Sequence, residues 1–153
     1  MKRIDDLLVE HEFFKDFVPE HRELIAGCGR NRTIKAGDYL LREGDPANEF
    51  FAIRKGQVAL GIHVPNKGEA IIETLHEGDV AGWSWLFEPF VTHFDARAVM
   101  TTNVIAFDGA CLRRKCEEDP RLGFALMKHF ARVMIVRMQA TRLQLLDVYG
   151  TPR

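Results

Sequence analysis

The chain has 153 residues, of which 46% are apolar, and its formal net charge is −1. This length favours one domain with a sizeable core, and the balanced charge gives no overall attraction to nucleic acid or to an anionic membrane. No apolar run approaches the roughly 18 residues of a membrane-spanning helix, and no signal-peptide core follows the first residues. We therefore expect a soluble cytoplasmic protein without a membrane partner.

The first part of the chain has the periodicity of helices. Between about Asp5 and Cys28, apolar residues recur at spacings near three and four. They are Leu7, Leu8, Phe13, Phe14, Phe17, Leu24 and Ile25. We assign residues 1–28 to N-terminal helices.

The middle of the chain, from about Asn31 to Asp108, is divided by glycine-containing turns such as Glu43-Gly44-Asp45-Pro46. Between the turns lie short β-rich runs, and Val58, Leu60 and Ile62 alternate with smaller or polar residues, as in a strand buried on one face. Many short strands at near-regular spacing predict an antiparallel sandwich or barrel.

The last part of the chain is helical again. Asp108 is placed to cap a short helix that includes Cys111, and Pro120 suits the first turn of a second, longer helix. The apolar pattern then continues to Val148, and Gly150 and Pro152 are predicted to end the helix.

The long helix carries a seam of residues that alternate steps of three and four, which is typical of a coiled coil. The seam residues are Phe124, Met127, Ala131, Met134, Met138, Thr141, Leu145 and Val148. A second stripe, formed by Leu126, Phe130 and Val133, covers the early turns only. We predict that this stripe packs on the barrel and that the seam pairs with a second copy. The alternative is a helix buried within one monomer, which the charged Arg132, Arg137 and Arg142 beside the seam disfavour.

Several groups of residues in the middle part occur together in an order and at a spacing found in a known family. They are Ala36-Gly37-Asp38-Tyr39-Leu40, Glu43-Gly44-Asp45-Pro46-Ala47, Phe51-Ala52-Ile53 with Gly56-Gln57-Val58, Gly78-Asp79-Val80-Ala81-Gly82, and Ala96-Arg97-Ala98. With these groups the chain resembles the effector domain of catabolite-activator-type regulators, the cyclic nucleotide-binding domain, from about Phe14 to Gly150. Leu145-Leu146-Asp147-Val148-Tyr149-Gly150 resembles the hinge that closes the family's long helix.

The resemblance implies a mainly β fold: a double-stranded β-helix (jelly-roll) barrel with N-terminal helices and a long C-terminal dimerisation helix. We expect a single domain over residues 1–153, with the barrel at 29–108 and the C-terminal helices at 109–150. Regulators of this family continue past the hinge into a DNA-binding domain. Because this sequence stops at Arg153, we expect no direct DNA binding.

The family's ligand signature is altered in this chain. The resemblance implies a glycine followed by a glutamate that binds the ribose, then an arginine that binds the cyclic phosphate. Here Gly82 matches, but Trp83 stands in place of the glutamate, and Thr92 with His93 next to it falls at the arginine position. The family's purine-contacting hydroxyl pair falls on Val136 and Arg137. Losing both charged contacts would weaken a micromolar cyclic nucleotide on the order of a hundredfold or more, at about 1.5–3 kcal/mol per contact.

Two structural roles are possible for the two tryptophans in the altered segment. Trp83 and Trp85 either fill the core or form walls of a pocket for a flat or apolar ligand. Arg137 is a better candidate for an anion partner than Arg97, which is expected to be an exposed strand charge. The full set of candidate ligand-binding residues is Gly82, Trp83, Ser84, Trp85, Thr92, His93, Val136 and Arg137. The expected effector is a cyclic nucleotide or another small anionic or aromatic molecule.

Other chemistries find little support in the sequence. His76 and His93 are weak candidates for haem ligands, and His63 lacks the clustered partners of a metal-binding cupin. Three cysteines at irregular spacing are too few for a four-thiolate cluster, argue against a disulfide framework and fit a reducing cytosol. No catalytic triad, paired carboxylate or phosphate-binding loop is present, so we expect neither an enzyme nor a metal site.

The sequence therefore predicts a regulatory sensor module that binds a small effector and signals through its dimer helix, with the change read either by the dimer itself or by a protein partner. Two alternatives remain: a domain that binds cyclic AMP or cyclic GMP through altered contacts, and a ligand-free dimerisation or scaffold module whose pocket the tryptophans have closed.

Overall fold

Eight antiparallel strands form two four-stranded sheets in residues 3–149, the part of the chain described by this computed structural model. The strands are β1 (Gly29–Ile34), β2 (Tyr39–Leu41), β3 (Glu49–Lys55), β4 (Val58–Val64), β5 (Gly68–Leu75), β6 (Val80–Ala81), β7 (Asp95–Ala98) and β8 (Thr102–Asp108). One sheet has the order β1-β8-β3-β6 and the other β2-β7-β4-β5. The helices are α1 (Ile4–Glu10), α2 (Pro19–Ala26), α3 (Gly109–Glu118) and α4 (Pro120–Tyr149). The predicted mainly β jelly roll with N-terminal helices and a long C-terminal helix is confirmed.

Strands β3 and β8 are buried on both faces, and this divides the core into two clusters. Successive side chains of a strand point to opposite faces. Phe51 and Ile53 therefore join an inner cluster between the sheets, whereas Phe50 joins an outer cluster between the first sheet and the helices. The outer cluster contains stacked rings, among them Phe50 on Phe107 with centroids 4.6 Å apart.

The turn between β3 and β4 requires glycine. Gly56 has a φ of 121°, in the left-handed region that only glycine adopts easily. A Cβ at this position would lie 2.8 Å from the Cα of Thr102, so a side chain would also collide with β8.

The N-terminal segment is less helical than its periodicity predicts. Residues 11–17 form turns between α1 and α2, so Phe13, Phe14 and Phe17 reach the outer cluster from a loop. The buried ring of His11 holds this loop. Its Nδ1 accepts from the N–H of Phe13 at 3.1 Å, and its Nε2 donates to the carbonyl of Ile53 at 3.0 Å.

The C-terminal helices begin where the sequence predicts. The Asp108 side chain accepts from the N–H of Cys111 and caps α3, and Pro120 is the first residue of α4. Leu126 and Phe130 are buried in the outer cluster and Val133 packs against it, as predicted for the second stripe. The predicted helix stop at Gly150 and Pro152 lies outside the described residues.

The expectation of no disulfide is wrong. Cys28 and Cys111 are joined, with their Cα atoms 5.8 Å apart, while Cys116 is free. The two residues are 83 positions apart in sequence. They meet because β1 pairs with β8 and places Gly29 opposite Phe107, which brings the end of α2 to the start of α3. This proximity is a consequence of sheet topology, and no spacing in the sequence reveals it.

Candidate effector site

Gly82 follows β6 and starts the segment that carries most of the candidate ligand residues. Its φ is 96°, which favours glycine. A Cβ here would lie 3.2 Å from Cδ1 of Leu41 and 3.3 Å from the carbonyl oxygen of Glu49. The close approach of β2 and β3 therefore fixes this position as glycine and directs the chain into the short turn at Ser84–Leu86.

The two tryptophans of this segment lie in different surroundings. Trp85 is fully buried in the outer cluster, where it stacks on Phe50 with centroids 5.2 Å apart and touches the edge of Phe130. Trp83 is half-buried and packs against both the inner and the outer cluster. The structure thus places Trp85 in the core beneath the helices, and Trp83 at the boundary between the two clusters.

Trp83, Ser84 and His93 form a connected group, which we call the cassette group. Trp83 stacks on the His93 ring with centroids 5.3 Å apart and an interplanar angle of 11°. Ser84 Oγ lies 3.0 Å from His93 Nδ1, and Ser84 is buried while His93 is exposed. Thr92 is buried beside this group, and its backbone N–H donates to the carbonyl of Asp45 at 2.9 Å.

Arg137 connects α4 to both sheets. Its Nε lies 3.2 Å from Oε2 of Glu73 on β5, and its Nη2 donates to the carbonyl of Val80 on β6 at 2.6 Å. The side chains of Arg137 and Glu73 are 20% and 33% exposed, so solvent screens the ion pair only in part. Because β6 is an edge strand, its Val80 carbonyl is free to accept from a side chain.

A groove of about 330 Å³ runs between α4 and the barrel beside this contact. One wall is α4, and the other comprises the loop after α1, Glu73 and the turn before β6. The groove mixes apolar surface with charges of both signs; its lining includes Phe13, Asp16, Asp79, Val80, His129, Arg132, Val133, Val136 and Arg137. None of the lining residues comes from the segment 82–94, so of the candidate residues only Val136 and Arg137 line this groove, while the cassette group lies apart from it and Trp85 is in the core.

Glu73, Asp79 and His129 are groove residues that no sequence pattern marks as functional. Glu73 is 64 positions from Arg137, and only the packing of α4 across the barrel brings them together. The Nε2 atom of His129 is buried and has no hydrogen-bond partner among the described residues. Glu73 lies on a mostly exposed strand where charged residues are common, so no sequence signal distinguishes it.

The predicted seam of α4 is largely exposed in the single chain. Phe124, Met127, Met138 and Leu145 are 70%, 42%, 53% and 51% exposed. Ala131, Thr141 and Val148 are also exposed, while Met134 is half-buried. Within residues 3–149, no group of three or more His, Cys, Asp or Glu side chains is arranged to hold a metal ion. No helix in the same range is long and apolar enough to cross a membrane.

Known proteins resemble this chain in sequence and in structure. It is 24% identical to a CRP-like cAMP-activated global transcriptional regulator of Mycobacterium tuberculosis, over 97% of this chain and 64% of that protein. It is 30% identical to the transcriptional activator protein anr of Pseudomonas aeruginosa, over 67% of this chain and 42% of that protein. A solved cyclic nucleotide-binding domain from Methylobacillus flagellatus has a TM-score of 0.79 and 19% identity, covering 98% of this chain and 84% of its own.

The chain spans less than two thirds of the length of these curated relatives. Both relatives are regulatory proteins by name. The family model of the cyclic nucleotide-binding domain matches residues 31–119, which is more than half of the chain. Together with the jelly roll and its long helix, this match places the chain in the family of cyclic nucleotide-binding domains, as a regulatory domain of the type found in CRP-like regulators.

Proposed function

We propose that this domain is a non-enzymatic sensor in which a small effector changes how α4 is held against the barrel. An effector shifts such an equilibrium only if it binds one arrangement better than the other. The helix then presents the change to a second copy of the chain or to a protein partner. The proposed role needs no membrane and no direct contact with DNA, and it fits the cytoplasm.

The Arg137 contact is the observation that carries this proposal. One guanidinium lines the groove and at the same time holds α4 to β5 and β6. A ligand with an anionic group that binds Arg137 competes with Glu73 for the same charge. Binding in the groove would therefore weaken the contact that fixes the helix. The groove volume lies near the lower end of the range for small-molecule sites, about 300–1,000 Å³.

The cassette group supports an effector other than an unmodified family ligand. Trp83 supplies an aromatic face where the family pattern has a carboxylate, and Thr92 supplies no positive charge. We expect cyclic AMP to bind more weakly than about 100 µM, since losing two charge-assisted contacts costs about a hundredfold. A small anionic molecule suits Arg137 in the groove, and an aromatic one suits the ring of Trp83 in the cassette group.

Native mass spectrometry of freshly purified protein tests the proposal directly. The wild type is expected to carry a co-purified small molecule that Arg137→Ala loses. The matched control is Arg142→Ala, because Arg142 lies on the same helix but is exposed and does not line the groove. Equal retention by all three proteins would contradict a role for Arg137. Low-micromolar binding of cyclic AMP in calorimetry would contradict the altered-ligand part of the proposal.

The second candidate is a ligand-free dimerisation or scaffold module. It is supported by the packing of Trp83 against both core clusters and by its stacking on His93, which fills the space beside Ser84. If this candidate is right, Trp83→Ala should cost roughly 3–5 kcal/mol of unfolding free energy, as for a core aromatic. In a ligand-binding domain, the same change should alter effector affinity more than stability.

A further inference from the structure

The disulfide between Cys28 and Cys111 lies at a surface cavity. We propose that this pair is a reversible redox site that exchanges with small thiols of the glutathione class. The state of this pair controls how firmly α3 and α4 are held to the N-terminal helices. The inference is independent of the effector and of the dimer.

Backbone contacts hold the two cysteines next to each other whether or not the sulfur atoms are joined. The N–H of Asp108 donates to the carbonyl of Cys28 at 3.0 Å, and Gly29 pairs with Phe107 in the sheet. The Cα separation of 5.8 Å is within the usual range for a disulfide. The pair can therefore open and close without rearrangement of the strands around it.

Both cysteines border a cavity that a small reductant can enter. A cavity of about 510 Å³ is lined by both cysteines together with Arg30, Asn48 and Asp108. This volume is within the range of pockets that bind small molecules. Cys28 is 8% exposed and Cys111 is half-buried, so Cys111 is the more accessible of the two.

The exchange proceeds in two balanced steps. A small thiolate attacks Sγ of Cys111 and forms a mixed disulfide, while the electron pair of the broken bond goes to Sγ of Cys28, which takes up a proton. A second small thiolate then attacks the sulfur of the adduct. This step releases Cys111 as a thiol after protonation and forms the oxidised small-molecule disulfide. Two equivalents of thiol are oxidised for each protein disulfide reduced.

The third cysteine provides an internal control. Cys116 lies on the same helix but does not line the cavity. Burial and the nearby carboxylates of Asp119 and Glu117 raise the pKa of its thiol to about 11. At neutral pH it is protonated and is a poor nucleophile, because the thiolate is the reactive form.

Reduction has a structural consequence because α3 and α4 are closely connected. The Asp119 side chain accepts from the N–H groups of Arg121 and Leu122 at the start of α4, and Gly123 packs on Cys116. Beyond apolar packing, the Lys115 ammonium also joins α3 to α2, by donating to the carbonyl of Leu24 at 2.7 Å. Opening the disulfide removes the covalent link at this junction and leaves these weaker contacts.

The test is a redox titration of the full chain in glutathione buffers, followed by acid quenching, denaturation, alkylation and mass spectrometry. Oxidised wild type is expected to show one reactive thiol and reduced wild type three, with a reversible transition between them. Cys116→Ser should leave the transition unchanged, and Cys28→Ser should trap a single glutathione adduct on Cys111. The wild-type titration needs no variant, so a poorly folded Cys28→Ser protein leaves the test intact.

Hydrogen exchange measures the second part of the proposal. Reduction should speed amide exchange in residues 109–118 by about tenfold, as expected when local opening becomes easier. Three reactive thiols in every buffer would overturn the redox site. Loss of the transition in Cys116→Ser would overturn the pairing. Equal exchange rates in the oxidised and reduced proteins would overturn the effect on α3.

Discussion

The two halves of α4 have similar apolar patterns but lie in different surroundings. In the first half, Leu126 and Phe130 are 0% and 2% exposed and belong to the outer cluster. In the second half, Leu146 and Val148 are 60% and 74% exposed. Arg137, near the junction, bonds to both sheets. The comparison indicates that one half stabilises the domain while the other is available to a partner, and that surroundings rather than apolar content distinguish them.

The largest expected effect comes from making the same substitution in each half. Leu126→Ala removes a fully buried side chain and should cost about 2–5 kcal/mol of unfolding free energy. Leu146→Ala, in the exposed half, should change it by less than about 0.5 kcal/mol. Urea denaturation followed by circular dichroism measures both. A comparable loss in Leu146→Ala would show that the second half is buried in solution, against a partner not contained in the single chain.

The predicted dimer seam provides the next test of the difference between the two halves of α4. Met134→Glu places a charge in the proposed apolar dimer interface and should weaken association by on the order of a hundredfold. Gln139→Glu is the matched control, since it adds the same charge to an exposed position outside the seam. Light scattering at micromolar concentration should report dimers for the wild type and the control, and monomers for Met134→Glu. A monomeric wild type would rule out the seam as a dimer interface.

Substitutions at the junction of the two halves should have smaller effects. Arg137→Ala removes the hydrogen bond to Val80 and the ion pair with Glu73, and should cost about 1–2 kcal/mol after allowance for solvent screening. Glu73→Gln removes only the charge and should cost less than about 1 kcal/mol, with a smaller difference at high salt. Chemical denaturation at two salt concentrations separates the contributions. If Glu73→Gln costs as much as Arg137→Ala, the contact with Val80 contributes little.

The parts of the fold that the sequence predicts depend on local signals. Asp108 caps α3 and Pro120 begins α4 because the first turn of a helix has free N–H groups to satisfy. Gly56 marks a turn because its backbone conformation excludes other residues. Such features require only neighbouring residues, so a single sequence is sufficient to identify them.

The features that the sequence does not predict depend on contacts between distant residues. Cys28 meets Cys111, and Glu73 meets Arg137, only because the sheets and α4 are assembled in this topology. The sequence also leaves open which of two tryptophans enters the core. Only Ser84 separates them, and the short turn at Ser84–Leu86 buries Trp85 in the outer cluster, whereas Trp83 stays half-buried at the boundary of both clusters. The separation of the cassette group from Val136 and Arg137 in the groove follows from the same topology.

We expect the contribution of His11 to the free energy of unfolding to change gradually with pH. This residue anchors the loop that packs against the first half of α4. Phe13 in this loop contacts Phe130, with ring centroids 5.0 Å apart, and its N–H donates to Nδ1 of His11. Burial lowers the pKa of His11 from its ordinary value of 6.5, although the hydrogen bond to Ile53 and the carboxylates of Asp79, Glu12 and Glu77 act in the opposite direction. The folded state therefore prefers the neutral ring, which alone can accept from Phe13.

The direction of the pH dependence follows from this preference. The unfolded chain takes up a proton at His11 near pH 6.5, while the folded chain resists it to lower pH. The stability that neutral His11 contributes is thus complete above about pH 6.5 and is lost progressively as the pH falls below that value.

His11→Asn keeps an acceptor for the N–H of Phe13 but does not titrate. As the pH falls from about 8 to about 5, the unfolding free energy of the wild type should decrease relative to that of His11→Asn. Protection from hydrogen exchange, taken relative to the intrinsic exchange rate at each pH, should fall in residues 11–17 and in the first half of α4 before it falls in β8, because the loop is the first element to lose its anchor. A difference that stays constant across the interval would mean that His11 does not control the attachment of the loop.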